Sequence, residues 1–464
     1  MSQSELQRYS EEVIGAWDEA SGNFKWACEA ANDDTSIRHL FDKNGGYELK
    51  EWYATKESID GVGTKLQIYT SAFEAYIKQF EAKEITDEEL FQVSVRIWKR
   101  GLSDLIAMNT DDLREGEMAV AVTNIIDINH LKGLRGKVFA DSMAEAMGQV
   151  IRENDIMMTA GETAILGEPK KVEMIQEQIE LLKGNIKKSL DSETIDQMAE
   201  QWPILRSLDI FNKSLDDIME EIEFNIGGTS MWISTGEKLV ELEQWQIVVA
   251  IHEKPKDGII GPRSNGITAI RKGMRSLGGS SWESLSFENF LEVIGDEKAS
   301  LLSDELKSEC AGLQMWEIAT WETTIFNPFV SRVLLGGVEG SPKIDIASLI
   351  HVTGNPVKKI EEWLGGKDNL GVDLDISNVK IPQIIEILQC LGAISDEDAM
   401  SSWNMGVPYV IVCNTTEDAA LAIDLWKEQW FDMSVIWEIK EKNDEFKESQ
   451  IKWVWIGDST IEMK

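Results

Sequence analysis

The chain has 464 residues, with 45 Lys and Arg against 82 Asp and Glu, for a net charge of −37 at pH 7. Hydrophobic residues make up 43% and charged residues 27%. These figures describe a globular protein with a substantial core and exclude collagen-like, disordered and disulfide-scaffold chains. At about 100–200 residues per domain, two or three domains are expected. The acidic balance argues against a broad nucleic-acid-binding face, which needs a Lys/Arg surface. It leaves room for a nucleotide site in which Mg²⁺ joins carboxylates to phosphate. Cys28, Cys310, Cys390 and Cys413 are dispersed, without CxxC spacing, so reduced buried thiols are expected. No apolar run reaches the ~18–20 residues that cross a bilayer. The opening MSQSELQRYSEEV has no basic, apolar signal pattern. The expectation is a cytoplasmic protein without a membrane partner.

In chain order, Leu6, Val13, Ile14 and Trp17 recur at helical spacing and predict a helix within about 3–40, broken by Gly45-Gly46. SIDGVGTKLQIYT follows, a Gly-rich turn between β-branched residues. The stretch 71–100 is polar and helical, with Leu90, Val93, Val95 and Ile97 on its apolar side. Helix-like DLIAMNTDDL and strand-like MAVAVTNII come next, then a helix through SMAEAMGQVIRE and the strand IMMTA. This alternation predicts an α/β or α+β arrangement. Residues 168–224 are charged and helix-rich, with Val172, Ile175, Ile179 and Leu182 along one face, and read as a helical insertion. Beyond them IGGTSMWIS, WQIVVAIH, PYVIVC, MSVIWEIK and IKWVWIG predict strands.

Several motifs carry chemistry. In Asp60-Gly61-Val62-Gly63-Thr64-Lys65 the glycines allow close backbone approach, Lys65 is a point charge for phosphate, and Asp60 is a hard oxygen donor for Mg²⁺. A strand-end turn with a surface Lys accounts equally for this pattern. Asp104 and Asp111 lie two helical turns apart and share a face. Asp112 would repel the adjacent Asp111 unless a cation or solvent intervenes, and solvated carboxylates at a helix end are the alternative. Glu162, placed at a strand-to-loop junction, suits a metal ligand, a general base or a helix cap. Gly261-Pro262-Arg263-Ser264-Asn265-Gly266 feeds a helix, where free N–H groups and Arg263 could hold an anion and where ordinary capping is the alternative. His351 in HVTGN and Asn404 in WNMG are polar positions beside glycines. No Ser/His/Asp triad or HExxH is present.

In order, DGVGTKL, DLIAMNTDDL, AGETA, GPRSNGITAIRKG, HVTGN and WNMGV resemble the aminoimidazole ribonucleotide synthetase (phosphoribosylformylglycinamidine cyclo-ligase) family over about residues 58–440. The resemblance implies a mixed α+β / α/β fold. A ferredoxin-like, dimer-forming, ATP-binding domain over 1–243, carrying the 168–224 insertion, would precede an α/β domain over 244–464. It implies ATP and Mg²⁺, with Asp60, Asp112 and Glu162 serving the metal and Asp104 and Asp111 nearby. Lys65 would meet phosphate, beside Gly61, Gly63 and Thr64. Arg263, Asn265, His351 and Asn404 would line the ribonucleotide side. The implied reaction phosphorylates the formyl oxygen of formylglycinamidine ribonucleotide and closes the imidazole ring, in a homodimer. The chain departs from the family where Arg263 replaces a His, HVTGN replaces HxTGGG and MSSWN replaces MYRTFN. These departures keep open a different acceptor, or a non-catalytic nucleotide-binding paralogue.

Overall fold

A computed structural model describes residues 53–111, 117–129, 131, 133–154, 156–165, 222, 224–234, 243, 245–253, 257–263, 266–275, 282–327, 330, 344, 346–355, 358–359, 370–371, 373–375, 379–428, 433–441, 450–455 and 459–463. The helix expected at 3–40, the insertion at 168–224 except for residues 222 and 224, and the site candidates Asp112 and Asn265 lie outside the described residues. Glu162 is placed by its backbone only.

A four-stranded sheet forms from β1 (Tyr53–Gly61), β2 (Glu117–Ile128), β3 (Met157–Ile165) and β4 (Phe224–Ser234), in the order β1-β4-β2-β3. β4 pairs antiparallel with both β1 and β2, whereas β2 and β3 run parallel. A parallel pair requires a crossover, and it is made by the helix expected at SMAEAMGQVIRE. The pairing Asp60↔Gly228 and Gly61↔Gly227 brings the DGVGTK turn onto the middle of β4. Glycine is needed at 228, because a Cβ there would lie 2.5 Å from the Thr123 carbonyl oxygen. Glu162 pairs with Ile125 inside β3, so it sits within a strand and not at the expected strand-to-loop junction.

The stretch 71–100 divides into two helices, α1 (Leu66–Glu81) and α2 (Asp87–Thr110). A capping box causes the break: Glu89 N–H donates to Thr86 Oγ1 at 3.3 Å, and Thr86 N–H donates to Glu89 Oε2 at 2.8 Å. Asp87, Glu88 and Glu89 then place negative charge at the positive end of the α2 dipole. Leu90, Val93, Val95 and Ile97 are all buried. α2 packs against α3 (Gly133–Asn154) and the inner face of the sheet. There Trp98 meets Phe73, Phe139 and Phe224 at ring-centroid distances of 5.0–5.1 Å. Rings at this spacing and tilt add specific geometry to apolar burial.

A second four-stranded sheet contains β5 (Ile247–Ile251), β6 (Ile346–His351), β7 (Tyr409–Cys413) and β8 (Met433–Glu438), in the order β8-β5-β7-β6. Every residue of β7 is buried, as its uninterrupted apolar run requires. All three pairings are antiparallel. They replace the parallel pairing that the term α/β implies for this half. The protein is thus a mixed helix-and-sheet structure, and no helix of the described residues is long and apolar enough to cross a membrane. The register of this sheet fixes one aromatic ring in particular. Tyr409 lies opposite Ile251 on one side and His351 on the other, at the end of the sheet facing the C-terminus of α2.

Candidate functional site

The expected pairing of Asp104 and Asp111 on one face of α2 is what the helix delivers. Both are buried, and both are gripped by one extended segment, residues 323–327. Asp104 Oδ1 accepts from Lys65 Nζ at 2.7 Å and from the Thr323 hydroxyl, and Oδ2 accepts from the Tyr69 hydroxyl at 2.6 Å. Lys65 is fully buried. It ends the short turn Gly63–Lys65 that leads into α1, so its side chain enters the core while the neighbouring Gly63 and Thr64 stay exposed. Tyr69 stands one helical turn further along α1. Burial pulls the Lys65 pKa down, and the Asp104 carboxylate opposes that pull. Burial, then Asp104, pushes the Tyr69 pKa well up. A cation and an anion removed from water together, with all facing lone pairs bonded, form a stable closed unit.

A second cluster surrounds Arg263. Its Nη2 donates to Asp111 Oδ2 at 2.7 Å, its Nη1 donates to the Thr324 carbonyl at 3.0 Å, and Glu253 Oε1 lies 3.6 Å from Nη1. The guanidinium also lies over the Phe326 ring, 5.3 Å from its centre. Asp111 Oδ1 accepts from the N–H groups of Phe326 and Asn327 at 3.0 and 3.1 Å. The Asp111 carbonyl accepts from the Tyr409 hydroxyl, and His351 stacks on the Tyr409 ring at 4.9 Å. Burial raises the Asp111 pKa despite the facing Arg263. Burial raises that of Glu253 to about 7, again against the pull of Arg263. For Arg263, burial works downward but is outweighed by Glu253 and Asp111, which hold its pKa above the ordinary value.

The backbone is strained where these loops meet. Arg263, Asn355 and Met405 all have positive φ, at 53°, 47° and 52°. Non-glycine residues occupy this region at a cost and tend to gather at functional sites. Gly266 has φ 71°, and a Cβ there would fall 2.2 Å from the Trp403 ring. Asn404 is buried, its Oδ1 accepts from Gly406 N–H at 3.1 Å, and its Nδ2 has no hydrogen-bond partner. Between the two clusters opens a pocket lined by Asp104, Ala107, Met108, Arg263, Thr323, His351 and Thr353.

Lys65, Asp104, Asp111, Arg263 and His351, from four separate motifs, therefore come together. Asp60, the last residue but one of β1, is exposed to solvent, with Oδ1 accepting from Gly61 N–H at 2.7 Å. Among the described residues, no three His, Cys, Asp or Glu side chains gather as a metal site. Sequence reading missed Tyr69, Glu253, Tyr409 and the whole 323–327 segment. Only Tyr69 carried a signal, its four-residue spacing from Lys65.

No protein-family model matches the chain. In sequence the chain is similar to phosphoribosylformylglycinamidine cyclo-ligases, which is the resemblance the ordered motifs suggest. The cyclo-ligase of Methanococcus vannielii is 24% identical over 280 residues, 58% of this chain and 71% of that protein. That of Bacillus velezensis is 24% identical over 212 residues, 45% of this chain and half of that protein. Among solved structures, thiamine-monophosphate kinase from Stenotrophomonas maltophilia K279a superposes with a TM-score of 0.44 at 9% identity, covering 91% of this chain and 94% of its own. That structural likeness is too distant to bear on activity.

Proposed function

We propose that the chain is an ATP-dependent cyclo-ligase that converts formylglycinamidine ribonucleotide to aminoimidazole ribonucleotide. The observation that carries this reading is the convergence of residues from motifs up to nearly 300 residues apart: Asp104, Arg263 and His351 line one pocket, with Lys65 bonded to Asp104 and Asp111 to Arg263 behind it. The similarity to named cyclo-ligases supports it. In this reading the γ-phosphoryl group of ATP passes to the formyl oxygen, releasing ADP. The amidine nitrogen then attacks the formyl carbon, closing the imidazole ring as phosphate leaves and the nitrogen gives up a proton. Such chemistry asks the protein mainly for positioning and charge neutralisation. Asp60 offers Mg²⁺ an exposed hard oxygen, and Asp112 and Glu162 would complete its ligands; bound there, the metal would neutralise phosphate charge. Gly61, Gly63 and Thr64 would approach the phosphates, while Asn265 and the unpartnered Asn404 amide would serve the ribonucleotide.

Residues 1–243 and 244–464 are taken as the two domains, working in the cytoplasm as a homodimer. The outer face of the first sheet, where Ile125 is 41% exposed, is the surface proposed for pairing. Mg·ATP and formylglycinamidine ribonucleotide should yield ADP and the aminoimidazole in equal amounts, followed in one reaction. ADP alone would identify a kinase or ATPase with another acceptor. A specific observation favours a second reading, a nucleotide-binding paralogue without turnover. The two cations of these clusters, Lys65 and Arg263, already face carboxylates of the same chain. Mg·ATP binding with neither product formed would select it.

A further inference from the structure

Glu253 lies two residues beyond β5 and belongs to no motif of the sequence. It is 3% exposed, and its N–H donates to the Gly406 carbonyl at 2.8 Å, so its place is fixed by the strained Asn404–Gly406 turn. Neither carboxylate oxygen has a hydrogen-bond partner in good geometry. The groups facing it are Arg263, at 3.6 Å, the N–H and hydroxyl of Thr324 and, beyond the guanidinium, Asp111. His351 acts on Asp111, while Tyr409 and Lys65 act on Arg263. At 3.6 Å an N···O contact is an ion pair without a hydrogen bond. A buried anion in that condition is costly.

Charge balance makes the same point. Lys65 and Arg263 face Asp104, Asp111 and Glu253. With Glu253 neutral the five groups sum to zero. With Glu253 ionised, these groups carry one uncompensated negative charge behind the pocket that Asp104 and Arg263 line, which disfavours an anionic ligand there.

We propose that Glu253 is a positioning residue that acts through Arg263. Protonated, it leaves the guanidinium on Asp111 with an edge directed at an anionic group in the pocket; ionised, it draws Arg263 into a second ion pair and turns that group away. The proposal rests on the nucleotide reading above for the kind of anion. Burial already brings the carboxyl to about 7, so the exchange falls in the neutral range. Binding an anion favours the protonated form, so affinity is full below that value and falls as pH rises through it.

The test measures the Kd of Mg·ATP, and of inorganic tripolyphosphate as a phosphate chain without a nucleoside, at pH 6 and pH 8. It uses the full chain and its Glu253→Gln and Glu253→Asp variants, each first shown to unfold cooperatively. One linked proton with a pKa near 7 should weaken binding about tenfold from pH 6 to pH 8 in the parent. Glu253→Gln should bind equally well at both values, and Glu253→Asp should regain a pH dependence. Superimposable profiles for the parent and Glu253→Gln overturn the proposal. Glu253-dependent binding of tripolyphosphate without Mg·ATP binding keeps the proposal and removes the nucleotide reading. Binding of neither probe at either pH removes both. Should Glu253→Gln fail to fold, a pH-independent Kd in Glu253→Asp also overturns the proposal.

Discussion

The two buried charge clusters differ in completeness. Around Asp104 every facing group is matched: one ammonium and two hydroxyls meet one carboxylate, and the unit is neutral. Around Arg263 one guanidinium serves two carboxylates, and the second of these, Glu253, is held at 3.6 Å without a hydrogen bond to it, facing only the Thr324 N–H and hydroxyl besides. Folding alone explains the first, because a paired and fully bonded ion pair is what a core tolerates. It does not explain the second, where burying a further carboxyl adds cost without an equal partner. Strained backbone at Arg263 and Met405 accompanies the incomplete cluster. On the proposal above, this unmatched carboxyl is the part of the site that responds to an anionic ligand.

Removing each cation sharpens that contrast. Arg263→Met strands Asp111 and Glu253 together and should show the largest effect, a loss of about 3–5 kcal/mol in urea unfolding at pH 8. That loss should shrink at pH 6, where Glu253 takes up a proton. Lys65→Met leaves Asp104 with the Tyr69 and Thr323 hydroxyls, so its cost should fall near the lower end, roughly 3 kcal/mol, with little change between the two pH values. Equal pH dependence in the two variants would erase the distinction between the clusters. The smallest effect is expected in the parent protein itself. The Glu253 carboxyl is raised in the folded chain from an ordinary 4.5 to about 7. Its contribution is fully present below about pH 4.5 and is lost as pH rises through 7. Stability should thus decline by roughly 1–3 kcal/mol across that window, and the decline should disappear in Glu253→Gln.

Much of this site is legible in the sequence. Lys65, Asp104, Asp111, Arg263 and His351 are visible because each stands in a short motif whose glycines or acidic spacing interrupt ordinary composition. The strands β4, β5, β7 and β8 are visible as compact β-branched or aromatic runs. Other features leave no such trace. The division of 71–100 depends on Thr86 closing a capping box, which a polar stretch full of acidic residues disguises. Glu253 sits in HEKPKD, where charge density suggests a solvated loop. Phe326 and Asn327 contribute backbone N–H groups to Asp111, and every residue type except proline has that group to give. A side-chain alphabet is silent about such contacts.

The 323–327 segment also sets the order in which the molecule can be made. The amides that hold Asp111 lie 215 and 216 residues downstream of it, and the hydroxyl that holds Asp104 lies 219 downstream. Asn327 also binds both the N–H and the carbonyl of Ala119, 208 residues back. A nascent chain that has synthesised α2 and β2 therefore carries Asp104 with Lys65 and Tyr69 already at hand, but Asp111 with none of the amides that will receive it. Contacts of this span are slow to close, and an early compact state lacking them exposes unpaired groups. The strands of the first sheet are all made by residue 234, but the sealing of Asp111 and Ala119 must wait on residues 326–327, and stalling between residues 235 and 323 would leave the ribosome holding an unfinished core.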